Sequence, residues 1–581
     1  MMLQEVKGEN AASLVERAIR QGLYEGAEFV HFELKQHFFL IRLRWIQGRS
    51  RMSILLSELR SRGPEVLEYL KAACGMSSSV RRVPQFGVFI FVDQGQRLEL
   101  RARCRPYMTE ERVILSLHND NHSPLETSMT DTPPNQQHSQ HPRPIVAKFG
   151  GSSVADADQV RKIAAIVRAD PRRRFVVVSA PGKRNDKDKK ITDLLYLCHS
   201  LGEQGLDAAA PFAIVKERYL GIASELGVTG AWEWLRDMGQ QIAAGAAKDW
   251  VASRGEYLCA RIIADYLGAE FVDAADGIRF GSDGRFHEGE SYARLGARLA
   301  AVPEGKVAVI PGFYGQDLLG KIKCFSRGGS DVTGAIVARA VHAAVYENWT
   351  DVSGLLMADP RLVQDPCPIE EITYREQREL SYMGATVLHD EAVFPVREAG
   401  IPIHIKNTNR PEDAGTRIVT RRESRATTIV GIAGRKGFAT LFTEKAMMNQ
   451  ERGYGRKVLE ILESHGISYE HSPTSIDTLS VILTDEELNG KEHDVVAEIR
   501  RVVQPDRIEV QRDMAMLAVV GQGMISRVGI AAKVFSALAD SGTNIRMINQ
   551  GSSELNIIVG VATGDYEKAV RAIYAAFVEK E

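Results

Sequence analysis

A lysine followed closely by two glycines and two serines is the first group of residues in this sequence that could carry out chemistry. The group ends a short apolar run and comprises Lys148, Gly150, Gly151, Ser152 and Ser153. Glycines let backbone N–H groups approach an anion without interference from Cβ atoms, and a lysine adds a positive charge beside it. The serines could cap a helix that follows. The pattern therefore predicts a phosphate-binding turn, with an ordinary strand–turn–helix connection as the alternative.

Further turns rich in glycine or hydroxyl groups follow, and the runs around them alternate between β-like and helical patterns. Such alternation predicts a mainly parallel sheet with helices on both faces. Ligands bind such sheets at the carboxyl ends of the strands. We therefore expect each turn to follow a strand and to contribute to one site; the turns are 179–182, 253–256, 311–315, 326–331 and 350–352.

The composition argues against several classes of protein. The chain has 581 residues, and a length of this order allows roughly three or four domains. Its 73 Lys and Arg residues nearly cancel its 75 Asp and Glu residues, so the charge gives no argument for nucleic acid or an anionic membrane. The six scattered cysteines predict free thiols in a reducing compartment and no metal-binding residues. Without a signal peptide or a long apolar run, we expect a cytoplasmic protein with no membrane insertion.

These patterns divide the chain into four parts. Residues 1–117 combine a helical pattern with alternating strands, which predicts a small α+β domain. Residues 118–143 are polar and contain almost no apolar side chains, so we expect a disordered linker whose histidines are solvated rather than bound to metal. Residues 144–420 form the predicted α/β domain, and residues 421–581 show shorter strand and helix patterns.

The first part resembles the domain that precedes the ATPase core in type II secretion and type IV pilus assembly ATPases. The motifs that carry this resemblance are Phe29-Val-His-Phe-Glu33, Arg81-Arg-Val-Pro-Gln-Phe-Gly87, Leu98-Glu-Leu-Arg-Ala-Arg103 and Glu111-Arg-Val-Ile-Leu115. The motor core of that family does not follow. The resemblance therefore implies a fused docking or regulatory module, and the sequence does not identify its partner.

From Pro144 onward the chain resembles aspartate kinases of the amino acid kinase family. The motifs are Lys148-Phe-Gly-Gly-Ser-Ser153, Arg327-Gly-Gly-Ser-Asp331, Ser381-Tyr-Met-Gly-Ala-Thr-Val-Leu-His389 and Ala399-Gly-Ile-Pro-Ile403. The resemblance implies an amino acid kinase domain at 144–420, followed by two ACT-type βαββαβ regulatory units at 421–581. It also implies an activity: ATP- and Mg²⁺-dependent phosphorylation of the L-aspartate β-carboxylate to 4-phospho-L-aspartate. This is the first step of lysine, threonine and methionine synthesis.

The chemistry itself asks little of the protein. The substrate carboxylate has a reference pKa of about 4 and is already ionised at neutral pH, so no general base is needed. The resemblance implies that Lys148 contacts the transferring phosphoryl group and that Asp331 acts near its Mg²⁺. Glu256 is assigned to the substrate ammonium, and Arg327 to its α-carboxylate, which a guanidinium binds with two parallel hydrogen bonds. Four residues complete the implied substrate pocket: Ser179, Thr192, Phe313 and Ser330.

The implied nucleotide site adds a second set of residues to those of the glycine turn. Thr350 and Asp351 resemble the family's nucleotide-binding pair, and Arg361 ends the Asp-Pro-Arg loop that reaches the phosphates. Two departures from the family's pattern are Leu356, where some members have tyrosine, and Cys367, where many have lysine. We therefore expect nucleotide affinity to depend more strongly on Arg361. For the acids, arginines and hydroxyls, the alternatives are structural salt bridges and helix caps.

The ACT-type units predict amino-acid regulation. Two early strands, 428–433 and 439–443, precede the first helix, and no strand closes the second unit after helix 566–577. We therefore expect the early strand to complete the sheet of the second unit. By resemblance, the effector is lysine, or alternatively threonine, and ACT domains pair the chain in a homodimer or higher homo-oligomer. The implied effector residues are Met448, Gly453, Tyr454, Tyr469, Glu470 and Ser475. A non-catalytic amino-acid sensor that signals through the first domain is the competing hypothesis.

Overall fold

The computed structural model describes residues 11–24, 29–34, 38–45, 51–59, 63–74, 85–93, 96–107, 110–116, 143–281, 283–326, 328–385, 388, 390–422, 428–525 and 527–578. The predicted linker at 118–143 lies outside these residues except for Arg143. The chain divides into two units, Met1–Gln137 and His138–Glu581. Among the helices in the described ranges, none is both long and apolar enough for a membrane span. All six cysteines are free, as predicted.

The first unit has the predicted α+β character. Its helices are α1 (Ala11–Tyr24) and α2 (Gly63–Ala73), and its strands are β1 (Phe29–Leu34), β2 (Phe38–Trp45), β3 (Arg51–Leu59), β4 (Gln85–Asp93), β5 (Gln96–Tyr107) and β6 (Glu110–Ser116). The strands form an antiparallel sheet in the order β3-β2-β1-β6-β5-β4. Helix α1 repeats apolar residues every three or four positions, and Leu14, Val15 and Ala18 are fully buried in the core with Phe32.

In the second unit, an eight-stranded sheet forms the centre of residues 143–422, here called the kinase-like part. In chain order its strands are β7 (Ile145–Phe149), β8 (Arg173–Val178), β9 (Glu270–Phe271), β10 (Ala308–Pro311), β13 (Val345–Thr350), β16 (Glu371–Thr373), β17 (Ile403–Asn407) and β18 (Thr416–Val419). They lie in the order β16-β18-β17-β13-β7-β8-β10-β9, and all neighbours are parallel except β17 and β18. The predicted mainly parallel sheet is confirmed.

Helices cover both faces of this sheet. They are α3 (Ala157–Ala169), α4 (Ile191–Glu203), α5 (Ala209–Leu226), α6 (Ala231–Ala243), α7 (Lys248–Leu267), α8 (Ala274–Gly277), α9 (Glu288–Ala300), α10 (Gly329–Ala340), α11 (Tyr374–Tyr382) and α12 (Asp390–Glu398). Successive residues of a strand point to opposite faces, so Val176 and Val177 of β8 enter two different hydrophobic cores. Two short hairpins, β11 (Tyr314–Gln316) with β12 (Ile322–Cys324) and β14 (Leu355–Leu356) with β15 (Pro368–Ile369), lie outside the sheet.

The C-terminal part is built on one five-stranded antiparallel sheet. Its strands are β19 (Gly431–Glu444), β20 (Thr478–Thr484), β21 (Arg507–Val520), β22 (Ile545–Asn549) and β23 (Asn556–Ala562), in the order β20-β19-β21-β23-β22. Its helices are α13 (Tyr454–Ser464), α14 (Asp485–Leu488), α15 (Glu492–Val503), α16 (Ile530–Asp540) and α17 (Tyr566–Val578). The first expected ACT-type unit corresponds to β20 with α13, α14 and α15, and the second to β22 and β23 with α16 and α17. Strands β19 and β21 run through both.

The two early strands expected in this region are one continuous strand, β19. The register of β19 against β21 shifts next to Gly437, which has a φ of 90°. A glycine in this conformation allows a bulge, so the strand bends without ending. The first half of β19 pairs with the second half of β21, from Gly431 opposite Val520 to Lys436 opposite Ala515. The expectation that the early segment pairs with the strands of the second ACT-type unit is therefore confirmed, within one continuous sheet.

Candidate active site

A buried lysine, a buried asparagine and a half-buried aspartate meet at the carboxyl end of the parallel sheet. Lys148 is in β7, Asn348 is its direct neighbour in β13, and Asp331 is in the first turn of α10. The Lys148 ammonium forms an ion pair with the Asp331 carboxylate, and the Asn348 amide donates a hydrogen bond of 2.9 Å to the same carboxylate oxygen. Lys148 and Asn348 are both buried. The sequence predicted Lys148 and Asp331 for this site but missed Asn348.

The Gly150–Gly151 turn is enclosed by the strands on either side of β7. Gly150 donates to the carbonyl of Trp349 at 2.9 Å, and Gly182 donates to the carbonyl of Gly151 at 2.9 Å. A Cβ atom on Gly182 would lie only 2.8 Å from the carbonyl carbon of Gly151. Glycine is therefore required there, because no side chain fits between these two backbone segments.

The serines after this turn do not cap a helix as expected. A short 3₁₀-helix spans Gly151–Val154 without a side-chain cap, and α3 is capped by Asp156, which accepts from the backbone of Gln159. The buried Ser153 hydroxyl lies 2.7 Å from that of Thr408, while Ser152 is half-buried. Ser153 is thus engaged inside the protein, and Ser152 is the more accessible of the pair.

Glu256 reaches the site from the interior of a helix. The turn expected at 253–256 is part of α7, so this expectation was wrong. A Cβ atom on Gly255 would lie 2.9 Å from the Cβ of Ala180, which shows that the glycine allows α7 to pack tightly on the segment after β8. A Cβ atom on Gly151 would lie 3.1 Å from the Ala180 carbonyl, so the same segment also contacts the glycine turn.

The Glu256 carboxylate is buried and only partly satisfied. Its Oε2 atom has no hydrogen-bond partner among the residues that the structure describes. Burial raises the pKa of Glu256 to about 8, although hydrogen bonds from its own backbone and from that of Ala180 lower it in part. A cationic ligand would supply the missing hydrogen bond and favour the ionised form.

The start of α10 is fixed by close contacts with the segment after β10. A Cβ atom on Gly312 would lie 2.6 Å from the Ser330 hydroxyl oxygen, and one on Gly329 would lie 2.6 Å from the Phe313 ring. Phe313 has a φ of 79°, a strained conformation for a residue with a side chain, and its N–H donates to Thr333 at 3.1 Å. The structure thus brings the predicted Phe313 and Ser330 together beside Asp331.

The remaining predicted substrate residues lie on neighbouring elements. Ser179 follows β8, and its N–H donates to the carbonyl of Phe149 at 3.1 Å. Thr192 is half-buried in the first turn of α4. Arg327 lies outside the described residues, and its role at the substrate carboxylate stays a prediction.

A cavity of about 930 Å³ lies between the kinase-like part and the C-terminal sheet. Three of its lining residues were predicted to bind nucleotide or to affect that binding: Asp351, Arg361 and Leu356.

The predicted nucleotide residues have contacts of their own. Arg361 is exposed and forms an ion pair of 2.6 Å with Asp359, whose pKa is lowered by the hydrogen bonds from Arg361. Thr350 donates to Asp351 at 3.1 Å. Cys367 is tied to α17, because its N–H donates to the Tyr574 hydroxyl at 2.8 Å.

The C-terminal part supplies one wall of this cavity, which the sequence did not reveal. Ile432, Ala433 and Gly434 of β19 line it, together with Tyr566 and Val570 of α17. The Tyr566 hydroxyl donates to the carbonyl of Gly434 at 2.6 Å. A ligand in this cavity would therefore contact both parts of the second unit.

A smaller cavity of about 330 Å³ contains four of the six predicted effector residues, namely Met448, Gly453, Tyr454 and Ser475. Tyr469 and Glu470 do not line it. Glu470 instead accepts a hydrogen bond of 2.7 Å from Arg435 and another from the hydroxyl of Tyr382 in α11. Glu470 thus contacts the kinase-like part directly.

Comparisons with known proteins agree with this architecture. Residues 143–407 match the amino acid kinase family, and residues 517–577 match the ACT domain. Aspartokinase 3 of Bacillus subtilis is 41% identical over 451 residues, which cover 74% of this chain and 98% of the relative.

Solved structures give the same result. The Clostridium acetobutylicum aspartate kinase structure aligns with a TM-score of 0.72 at 51% identity, covering 74% of this chain and all of that one. Escherichia coli aspartokinase III, in complex with aspartate and ADP, aligns with a TM-score of 0.59 at 26% identity, covering 75% of this chain and all of that one. In complex with lysine and aspartate, the same protein aligns with a TM-score of 0.60 at 27% identity over the same shares.

The parallel sheet, its lysine–aspartate pair and the antiparallel C-terminal sheet define an amino acid kinase with ACT-type regulatory units. At this level of identity and coverage, the chain belongs to the aspartokinase family.

Proposed function

We propose that the protein phosphorylates the β-carboxylate of L-aspartate with ATP to form 4-phospho-L-aspartate, the first step of lysine, threonine and methionine synthesis. The observation that carries the proposal is the Lys148–Asp331 pair at the glycine turn, next to a buried Glu256 with an unused carboxylate oxygen. These groups suit a phosphoryl group at one end and an ammonium group at the other. The complex of the Escherichia coli relative with aspartate and ADP supports both ligands.

The mechanism depends on position and charge. The aspartate β-carboxylate is already ionised and attacks the γ-phosphorus of ATP without a general base. Lys148 leaves Asp331 and binds the transferring phosphoryl oxygens, where its charge stabilises the transition state. Glu256 binds the substrate ammonium, and Arg327 binds the α-carboxylate through its guanidinium. Ser179, Thr192, Phe313 and Ser330 complete the substrate pocket.

The nucleotide is proposed to extend from the glycine turn into the cavity of about 930 Å³. Gly150, Gly151, Ser152 and Ser153 belong to its phosphate end, and Thr350, Asp351 and Arg361 to the remainder. Because Arg361 is exposed and already paired with Asp359, a phosphate must compete with that carboxylate for the guanidinium. We therefore infer that Arg361 binds the nucleotide after Asp359 has released it.

Mg²⁺ fits this site as an ion carried by the nucleotide. Among the described residues there is no cluster of three or more side chains that would hold a metal. Mg²⁺ in kinases is usually held by one or two carboxylates together with phosphate oxygens, and Asp331 supplies one carboxylate. When bound, Mg²⁺ would neutralise charge on the phosphates.

An acyl-phosphate assay tests the proposed activity. Purified protein, ATP, Mg²⁺ and aspartate should give an acyl phosphate that hydroxylamine traps. Lys148→Ala should reduce turnover by about three orders of magnitude, as expected when a group that stabilises transition-state charge is removed. If the wild type were no more active than this variant, the amino-acid sensor hypothesis would replace the kinase.

We further propose that lysine inhibits the enzyme through the first ACT unit, with threonine as the alternative effector. The support is the cavity lined by Met448, Gly453, Tyr454 and Ser475, and the lysine complex of the Escherichia coli relative. Tyr469 and Glu470 remain predicted effector residues. A homodimer or higher homo-oligomer through the ACT units is also proposed. Calorimetric titration with each amino acid, and sedimentation of the protein, would test these two proposals.

The other proposals concern organisation and location. We infer a cytoplasmic protein with a secretion-ATPase-like module at 1–117, a linker at 118–143, a kinase domain at 144–420 and ACT units at 421–581. The module's proposed role is to dock a partner that is not identified. Deleting residues 1–140 should leave aspartate phosphorylation within about twofold of the full chain, because each side of a linker folds independently. A folded but inactive truncation would make the module part of the catalytic unit.

A further inference from the structure

One face of strand β13 holds the start of helix α10 at two points. The Tyr346 hydroxyl donates to the backbone carbonyl of Asp331 at 3.1 Å, and the Asn348 amide donates to the Asp331 carboxylate at 2.9 Å. Tyr346 and Asn348 are two positions apart in the strand, so their side chains point to the same face. A Cβ atom on Gly334 would lie 2.6 Å from the Tyr346 ring, which shows how closely α10 is packed on this strand.

Asn348 and Lys148 bind the same carboxylate oxygen from adjacent strands. They are direct partners in the parallel ladder between β7 and β13. The two donors differ in charge: the ammonium of Lys148 can bind a phosphate, whereas the neutral amide of Asn348 has little attraction for one. When a phosphate recruits Lys148, Asp331 loses one of these two donors and keeps the other.

We propose that Asn348 is a positioning residue that holds the Asp331 carboxylate in place while Lys148 moves to the transferring phosphoryl group. The proposal rests on the proposed aspartate kinase activity. Asn348 does not touch the substrate in this scheme; it acts through Asp331. Without the amide, Asp331 would turn to other rotamers or stay bound to Lys148, and either state would lower the fraction of productive complexes.

Replacing Asn348 with leucine tests this role, because leucine has a similar volume and no donor. We expect kcat to fall about 10- to 100-fold, the usual effect of losing a hydrogen bond to a charged group, while the Kd for ADP and the KM for aspartate change less than about threefold. The matched control is Gln377→Leu, since Gln377 is an equally buried amide in α11 that donates to Ser381 at 2.7 Å. It should leave kcat within about twofold.

A double-mutant cycle gives a readout that a purely structural role would not produce. Asn348 acts through Asp331, so Asn348→Ala should lower kcat about 10- to 100-fold in the wild-type background but less than about twofold in an Asp331→Ala background, where no carboxylate remains to be held. A purely structural role would lower kcat by the same factor in both backgrounds.

The outcomes separate the two proposals. If the wild type phosphorylates aspartate and Asn348→Leu has the kcat of Gln377→Leu, the positioning role is wrong and the kinase assignment stands. Equal losses of kcat for Asn348→Ala in the wild-type and Asp331→Ala backgrounds would also overturn the positioning role, and this test remains available if the leucine variant fails to fold. A wild type without aspartate-dependent turnover would overturn the proposed function itself.

Discussion

Two buried glutamates in the kinase-like part have opposite environments. Glu256 lies in α7 beside the glycine turn, and Glu376 lies in α11 at the contact with the ACT region. Glu376 is fully buried and Glu256 nearly so. One carboxylate is saturated with hydrogen bonds and the other is not, as expected if Glu376 is structural and Glu256 binds a ligand as proposed.

Glu376 joins three segments of the chain. Arg422 donates to its two oxygens at 2.6 and 3.0 Å, the N–H of Gln522 donates at 2.6 Å, and the backbone of Thr373 donates at 2.9 Å. Burial alone would raise the pKa of Glu376, but the hydrogen bonds from these three residues outweigh it and the pKa is lowered. The ionised form is therefore the stable form, and it ties α11 to the second ACT unit.

Glu256 has the opposite balance. Its pKa is raised to about 8 because burial outweighs the available hydrogen bonds, and Oε2 has no partner among the described residues. A buried acid with an unused oxygen is costly for stability, and such costs are typical of functional sites. Removing the two acids should therefore have different effects, one mainly on stability and the other mainly on substrate binding.

The largest effect is expected for Glu376→Ala. The change removes the carboxylate that pairs with the buried guanidinium of Arg422, and breaking a buried ion pair in this way typically costs about 3–5 kcal/mol in free energy of unfolding. Urea denaturation followed by fluorescence would measure this loss. Glu379→Ala is the matched control, because Glu379 is on the same helix and accepts a hydrogen bond of 2.6 Å from Asn556 in the second ACT unit. A loss for Glu376→Ala no larger than the control's would show that this contact is not a structural joint.

Glu256→Gln should have the reverse pattern. Glutamine has nearly the same shape and no charge to bury, so the free energy of unfolding at pH 8 should stay the same or rise. The KM for aspartate should increase about 10- to 100-fold, the effect of losing a hydrogen bond between charged groups. Steady-state kinetics with varied aspartate would measure it, with the KM for ATP as the internal control. A destabilised variant with a normal aspartate KM would place Glu256 in the structural class with Glu376.

The pH dependence of the two acids should also differ in sign. The pKa of Glu256 is raised on folding, so its contribution to stability is fully present below its unfolded pKa and is lost as pH rises through about 8. The pKa of Glu376 is lowered, so its contribution is present above the unfolded pKa and is lost as pH falls through its folded value.

Aspartate binding reports the same titration. In the proposed site the substrate ammonium binds the ionised form of Glu256. The Kd for aspartate should therefore fall by up to about tenfold for each pH unit as the pH rises to about 8, and level off above it. Calorimetric titrations between pH 6 and about 9, with Glu256→Gln as the flat control, would measure it. The same steep profile in Glu256→Gln would assign the titration to another group.

The sequence predicted the position of the glycine turn better than the contacts of Glu376, for a physical reason. Lys148 and its glycines are adjacent along the chain, and the geometry of a strand followed by two glycines is mostly local. Glu376 receives its partners from Arg422 and Gln522, which lie 46 and 146 positions away, and no local pattern shows that they meet. The error at Ser253–Glu256 has a related cause, since Gly255 resembles a turn glycine until its contact with Ala180 is known.

Asn348 could have been found from its pattern. Asn348 is an amide inside the run Val345–Thr350, in which Tyr346 and Trp349 are also buried. A buried polar side chain in such a strand needs a hydrogen-bond partner. The identity of that partner required the fold, because α10 reaches β13 only through tertiary packing.

The smallest effect is expected at a second joint, where Glu470 of the first ACT unit binds Arg435 and Tyr382. Arg435 is 39% exposed in this pair, so the interaction should contribute only about 0–1 kcal/mol to stability. Glu470→Ala should therefore leave turnover without effector unchanged. If Glu470 also transmits the effect of bound lysine from the ACT unit to α11, the variant should need about fivefold more lysine for half-inhibition. This shift is at the low end of typical allosteric coupling.

Lysine titrations of the wild type, Glu470→Ala and Tyr382→Phe would separate two roles for Glu470. Tyr382→Phe removes only the hydroxyl contact with α11 and leaves the Glu470 carboxylate available to an ammonium group. An equal shift in both variants would make Glu470 a link between the ACT unit and the kinase. A shift in Glu470→Ala alone would support a direct contact with the effector ammonium, which threonine lacks on its side chain. Superimposable curves for all three proteins would exclude Glu470 from regulation and leave the other contacts between the ACT region and the kinase-like part, among them those at Glu376, Glu379 and Cys367.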